Sequence, residues 1–395
     1  MRRVAASETN AEVLVIGGGL IGLACAWRSA LAGRSVAVLD EAVGSGASHV
    51  AAGMLAPVAE VAYGEEDLLA LNIASARRWP SFAQQLEEAA GVGVGYQQLG
   101  TLLVGFDRDD VEALDELHRF QRELGLDAER LRSRDCRRRE PLLSPRVRGG
   151  VLAGDDHQVE PRRVHAALEK AAGEAGVAHV AERVAGVLHE AGRVTGVRLT
   201  SGAEVRANEV VLAAGCWSGD LGGLPPEVAV PVRPVKGQLL VLRAPDGDHG
   251  LSMTVRGLVQ SRSVYLVPRD DGQVVVGATQ EERGRDTMVT AGGVRTLLDD
   301  AAALVPGVDE FELVETLAGL RPGTPDNRPL IGRTDLDGLV LATGHHRHGV
   351  LLAPATADAV AALITGESPE AVTEVADPRR ASLGGTPTPT GRRSR

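Results

Sequence analysis

An α/β (α+β) chain with more than one domain is the fold class that the sequence predicts, on three observations. Its 395 residues exceed what one small core holds. Residues 11–40 read as strand, glycine turn, helix and strand. From Val180 onward, helical spacing gives way to runs that alternate apolar and polar residues, as half-buried strands do. Aromatic residues are only 3% of the chain while apolar residues are 44%, so the cores rest on Ala, Val and Leu.

Taken in order, "EVLVI" is a short β-rich run, "GGGLIG" a turn, "LACAWRSALAG" a helix closed by Gly33, and "SVAVLD" the next strand. The segment "EDLLALNIASARRWPSFAQQLEEAAG" places Leu68, Leu71, Ser75, Trp79, Phe82 and Leu86 at helical spacing. "DRDDVEALDELHRFQRELGL" is a second amphipathic helix, acidic where the helix dipole is positive. In "EPRRVHAALEKAAGEAG", Pro161 takes the first helical position, where its missing N–H costs nothing. Strands follow in "GRVTGVRLTSGAEVRANEVVLAAG", turning at Ser201-Gly202, and in "VRPVKGQLLVLRAP". "SVYLVPRDDGQVVVGAT" is a hairpin turning at Asp270 to Gly272. "GGVRTLLDDAAALVP" is a helix, "GLVLATG" a buried strand, and Val350 to Thr365 a final helix. The tail "GGTPTPTGRRSR" is low in complexity, and residues 371–395 are expected to be disordered.

The strongest chemical signal is Gly17-x-Gly19-x-x-Gly22 with Asp40 downstream. The first glycine permits a tight turn, the second lets backbone approach a pyrophosphate, and the third allows close helix–strand packing. Leu20 and Ile21 open the helix, whose free N–H groups suit phosphate oxygens. Asp40, with Glu41 beside it, is placed to accept hydrogen bonds from a ribose. This Rossmann-like context specifies a dinucleotide. Three strand exits then spread over the whole chain. They are "ASHVAAGMLAP" (Ala47, Ser48, Ala52, Gly53, Met54), "EVVLAAGCWS" (Gly215) and "GLVLATGHHRHG". Approaches so far apart suit a long, extended cofactor, and so favour FAD over a nicotinamide.

A formal charge of −11 with no basic stripe argues against nucleic acid as a partner. Cys25, Cys136 and Cys216 are far apart and odd in number, giving neither a disulfide framework nor a zinc pattern. A reducing cytoplasm is the expected location. "MRR" before an apolar run imitates an export signal, but Glu8, Glu12 and the adjacent glycines within it argue otherwise. No stretch reaches the roughly 18 apolar residues that a membrane helix needs.

The quoted segments, with "DHQVEPRRVHAAL", "RPVKGQ", "GLRPGTPDNRPLIG" and "GHHRHGVLLAPAT", resemble the glycine oxidases of thiamine biosynthesis. These form a branch of the FAD-dependent amine and D-amino-acid oxidase superfamily. The resemblance runs from about Ala11 to Glu367. It implies an interleaved fold, with a FAD domain in residues 11–88, 148–224 and 318–368. The substrate domain, 89–147 and 225–317, would be built on a mixed/antiparallel β-sheet. It implies oxidation of glycine, sarcosine or small D-amino acids by dioxygen to the imine, then glyoxylate and ammonia, with hydrogen peroxide. Non-covalent FAD, a homotetramer and a thiazole synthase that accepts the imine are further implications, as is Val184 among the cofactor contacts.

Such chemistry needs the substrate carboxylate clamped, the amine neutral and the Cα–H bond aimed at the flavin. The resemblance gives the clamp to Arg321, whose fork matches a carboxylate, with Tyr265 bonding alongside and Arg347 assisting. Arg321 could instead be a structural arginine paired with an acid, Tyr265 plain core, and Met54 packing. Branch members often carry His where this chain has Ser263, and some carry Met where it has Gln280. Two rivals stay open: a D-amino-acid or sarcosine/proline-type dehydrogenase passing electrons to a quinone, and a flavin-binding partner without turnover.

His345, His346 and His348 crowd around Arg347 and invite a metal-site reading. They sit too close in sequence to converge on one point, and no other ligand pattern helps. The resemblance instead makes residues His345 to Leu351, through Gly349 and Val350, a backbone clamp on the flavin. An aromatic and an Asn are usual at the positions of His346 and His348, so these histidines are expected to add pH dependence near the entrance.

Overall fold

The computed structural model describes residues 1–245 and 250–380. Two large sheets organise them. The first has seven strands, in the order Arg2–Arg3, Ala178–Val180, Val36–Leu39, Val13–Ile16, Glu209–Leu212, Leu339–Thr343 and Leu330–Arg333. All neighbours are parallel except the last pair. The chain therefore enters this sheet near its start, near its middle and near its end. Runs such as "VLVI" and "VAVL" are buried throughout because both faces are covered. Val13 and Val15 pack under helices Leu20–Leu31, Pro161–Glu174 and Ala353–Thr365. Leu14 and Ile16, pointing the other way, meet a three-stranded sheet of Val184–Glu190, Arg193–Leu199 and Glu204–Arg206.

The second sheet has eight strands: Glu312–Gly323, Arg233–Arg243, Gln273–Gly277, Arg262–Pro268, Thr254–Val259, Thr101–Gly105, Gly149–Ala153 and Glu129–Arg132. Only Thr254–Val259 and Thr101–Gly105 pair in parallel. Leu240, Leu266 and Val276 face helix Ala291–Leu304 on one side. Leu239, Val267 and Val275 face the other, where the small residues Val50, Ala52 and Met54 pack against them. The expected boundaries at 148 and 318 cut through this sheet. Gly149–Ala153 pairs there in register with Thr101–Gly105, and Glu312–Gly323 runs unbroken beside Arg233–Arg243 apart from one shift between Val241 and Leu242.

Helix Glu66–Ala90 buries Leu68, Leu71, Ser75, Trp79, Phe82 and Leu86, the face its spacing predicts. The Ser75 hydroxyl and the Trp79 indole N–H both donate to the Leu351 carbonyl, at 2.7 and 3.0 Å. They tie the segment after the last parallel strand to a long, rigid helix. That segment winds as a 3-10 turn, His346–His348, so the final helix begins at Ala353 and not at Val350. A correction applies to the tail. Ala371–Ala376 forms a 3-10 helix, with Val372 and Val375 packed against Leu68, Leu71 and Ile331, so order extends past 371. Residues 381–395, which hold the whole low-complexity segment, lie outside the described residues. No helix among the described residues is long and apolar enough to cross a membrane.

Trp79→Phe keeps the ring and removes one donor to the Leu351 carbonyl. It is expected to cost about 1 kcal/mol of stability, read as a lower denaturant midpoint.

Candidate functional site

A cavity of about 1010 Å³ runs between the two sheets, from the glycine turn to the strands bearing Tyr265 and Arg321. At its first end, Gly17 has φ +107°, and a Cβ there would lie 2.5 Å from the Ala213 carbonyl oxygen. A Cβ on Gly22 would overlap the Gly17 carbonyl. Turn, helix and neighbouring strand therefore touch backbone to backbone, as close phosphate approach requires. Helix Leu20–Leu31 follows at once, and the Leu20 N–H donates to the Ser48 hydroxyl at 2.9 Å. Asp40 accepts from Gly18 N–H at 2.6 Å and Ala42 N–H at 2.7 Å, so its first task is to hold the turn. Glu41 pairs with Arg183, which also lines the cavity. Ile21, Val184, Ala47, Ala52, Gly53, Met54 and Gly215 line it too. This cradle, closed to a Cβ at Gly17 and Gly22 and opening into a long cavity, fits a dinucleotide.

At the far end the second sheet supplies the chemistry. Tyr265 lies directly across from Gly277 on one side and Arg256 on the other. Its ring lies over Gly277, and the Arg321 guanidinium lies over Gly237, so bare glycines leave both side chains room. Burial pushes the Tyr265 phenol above its ordinary range, while Arg321 beside it pulls the other way. Arg321 donates to the Thr279 carbonyl at 3.3 Å and forms no ion pair among the described residues. It is not a structural arginine held by an acid. Ser263 and Gln280 both line the cavity.

Arg347 has a different setting from the one expected. It lines the cavity, but its guanidinium pairs with Glu65 and reaches the Glu60 carbonyl at 3.4 Å. The chain itself supplies a counter-ion for it. Two residues that sequence reasoning missed stand beside it. Arg256 and Glu60 form an ion pair, and both line the cavity. Burial alone would raise the Glu60 carboxyl, but Arg256, His348 and Arg347 together hold it below its ordinary range. Hence, among the described arginines that line the cavity, Arg347 and Arg256 are neutralised at this end and Arg321 is the one without an ion pair.

The histidines do not converge. His345 shares a hydrogen bond with the Thr356 hydroxyl at 3.0 Å, and His348 lies 3.9 Å from Glu60. His346 lines the cavity with φ +49°, a left-handed backbone that few non-glycine residues adopt. His345 and His348 are buried, not at an entrance. Burial first, and neighbouring cations second, push His346 and His348 down to about 4. All three are neutral at pH 7, so the pH dependence expected of His346 and His348 falls in more acid solution. Cys25, Cys136 and Cys216 are buried, and none lines the cavity.

Residues 12–363 match the family described as FAD dependent oxidoreductase. The chain is 37% identical over 377 residues to the bifunctional protein ThiO/ThiG of Synechocystis, covering 94% of itself and 54% of that protein. It thus spans about half the length of the ThiO/ThiG relatives it matches. It is 32% identical to the glycine oxidase of Geobacillus kaustophilus, covering 89% of itself and 92% of that protein. The crystal structure of a glycine oxidase from Geobacillus kaustophilus superposes with a TM-score of 0.86 at 31% identity, over 94% of this chain and 98% of that one. Iminodiacetate oxidase from Chelativorans sp. BNC1 superposes with a TM-score of 0.83 at 26% identity, over 93% and 98%.

Gly22→Ala is expected to yield protein that purifies without yellow colour, because the added carbon forces the helix off the turn; the flavin absorbance per mole of protein measures it. For His348, folded pKa about 4 against an ordinary 6.5 means the unfolded chain takes the proton first. Stability is then full above pH 6.5 and is lost as pH falls toward 4. His348→Asn is expected to flatten that loss, by at most about 1.4 kcal/mol per pH unit, in melting curves across this window.

Proposed function

The chain belongs to the FAD dependent oxidoreductase family, and on that premise we propose that it is an amino-acid oxidase. Its substrates are glycine and other small amino acids such as sarcosine or small D-amino acids. Dioxygen takes the two electrons and becomes hydrogen peroxide as the substrate becomes its imine. Water hydrolyses the imine to the oxo acid and the amine, which for glycine are glyoxylate and ammonia. The observation that carries this reading is Arg321, a guanidinium with no ion pair among the described residues, beside a buried tyrosine hydroxyl at the end of a dinucleotide-shaped cavity. The relatives and solved structures named glycine oxidase support it.

The residues of the cofactor end are the glycine turn, Asp40 and the segment Ala47 to Met54. Bound FAD supplies the two-electron acceptor for the substrate's Cα–H. The chain supplies orientation. Arg321 offers two parallel N–H donors to the substrate carboxylate, and the Tyr265 hydroxyl adds a third. Clamping one end of so small a molecule leaves its Cα little freedom, which turns a random encounter into a fixed approach. Tyr265 stays protonated, so it donates without competing for charge. The pairs Arg347–Glu65 and Arg256–Glu60 cancel internally, so the site has a net attraction for one carboxylate. No side chain has to act as a strong base if the hydride leaves directly.

A finer part of the proposal is that the product feeds thiazole formation, with a thiazole synthase as the acceptor. Its support is that relatives named bifunctional ThiO/ThiG match this chain over about half their length.

The test is glycine in air. Peroxide and glyoxylate are expected in equal amounts; reduction of an artificial dye without peroxide would make the protein a dehydrogenase. Arg321→Ala is expected to raise KM for glycine roughly 100-fold with FAD retained. Arg347→Ala, which loses a partner of Glu65, is expected to change KM less than about fivefold. Equal losses in the two variants would overturn the division of roles.

A further inference from the structure

Glu60 is a buried carboxylate, its side chain 7% exposed, at the substrate end of the large cavity. Three observations set it apart from an ordinary buried ion pair. Its Oε1 accepts from Arg256, but among the described residues its Oε2 accepts no hydrogen bond. The His348 ring lies 3.9 Å from Oε2, beyond hydrogen-bonding distance. Oε2 is not fully shut off from solvent, and Glu60 lines both the large cavity and a smaller one beside it.

Its position relative to the carboxylate clamp follows from strand register. Arg256 is directly opposite Tyr265 on the antiparallel pair Thr254–Val259 and Arg262–Pro268. Directly opposed side chains have Cβ atoms about 5 Å apart on one sheet face. Glu60, bonded to Arg256, therefore stands one side chain over from the Tyr265 hydroxyl. It is near enough that its charge opposes ionisation of the phenol. In an α-amino acid the carboxylate and the amine are both bonded to Cα, so a group that binds the amine must stand close beside the carboxylate clamp.

Resting on the functional reading above, we propose that Glu60 is the amine-recognition residue of the site. Its Oε2 accepts a hydrogen bond from the substrate's amino group while Arg321 and Tyr265 hold the carboxylate. An ionised carboxylate there favours an α-amino acid over the matching acid that lacks the amine. Arg256 keeps Glu60 charged and aimed, so it is a positioning residue. Glu60 also lines a second cavity of about 320 Å³ with apolar walls at Leu103, Leu114 and Leu117. That places the amine, and not the carboxylate, on the side where a substituent on nitrogen would find room.

The test measures binding of glycine and acetate to the holoenzyme with its flavin chemically reduced under anaerobic conditions, by calorimetry. Reduced enzyme cannot turn glycine over, so the result does not depend on whether glycine is a substrate. Glycine turnover in air, scored separately, decides the functional reading. Glu60→Gln keeps an oxygen for Arg256 and removes the charge. It is expected to weaken glycine roughly tenfold or more and acetate less than about threefold. The double variant E60Q/R256M, which removes both charges of the buried pair together, repeats the comparison should the single variant lose its flavin. Equal weakening of glycine and acetate, or unchanged glycine binding, in the variant that holds FAD would overturn the proposal.

Discussion

Backbone meets backbone without side chains at Gly17, Gly22 and Ala213, and the position of every functional group follows from that contact. It sets the N-terminus of helix Leu20–Leu31 against the end of the central parallel strand. The same helix packs under the helix Ala353–Thr365, whose preceding turn carries His346 and Arg347. A carbon added at Gly22 would therefore displace the phosphate cradle and, through the helices, the far wall of the cavity. Ser75 and Trp79 secure that far wall a second time, by holding the Leu351 carbonyl.

Charge compensation sets the character of the substrate end. Burying three arginines near one another would be prohibitive without counter-ions. The chain provides Glu65 for Arg347 and Glu60 for Arg256, and it leaves Arg321 to a carbonyl oxygen. Among the described residues that line the cavity, the one arginine without an ion pair suits one carboxylate. The histidines fit this balance by staying neutral: burial, reinforced for His346 and His348 by Arg347, disfavours their charged forms.

Much of this was legible in the sequence, and the exceptions have physical causes. The glycine turn, the amphipathic helices and the hairpin at Asp270 to Gly272 each have a local signature, and each folds as that signature implies. Arg256 and Glu60 have none. Their meeting with Tyr265 depends on a hairpin that turns at Gln260 and Ser261, both with positive φ, where the usual Asn-Gly signal is absent. That turn is held from outside: Asp110 accepts from the Gln260 and Ser261 N–H groups at 3.0 and 2.8 Å. A tertiary contact across 150 residues, not local preference, fixes the register. The partner of Arg347 is hidden in the sequence for a related reason. Nothing in its neighbourhood along the chain announces Glu65, which is brought to it by the start of helix Glu66–Ala90.

A crystal structure of the flavin-bound chain soaked with acetate tests the division of labour among the arginines most directly. The account predicts the acetate carboxylate within hydrogen-bonding distance of both Arg321 and the Tyr265 hydroxyl, with Arg347 still on Glu65. Acetate held by Arg347, with the Arg347–Glu65 pair broken and Arg321 left on the Thr279 carbonyl, would contradict it.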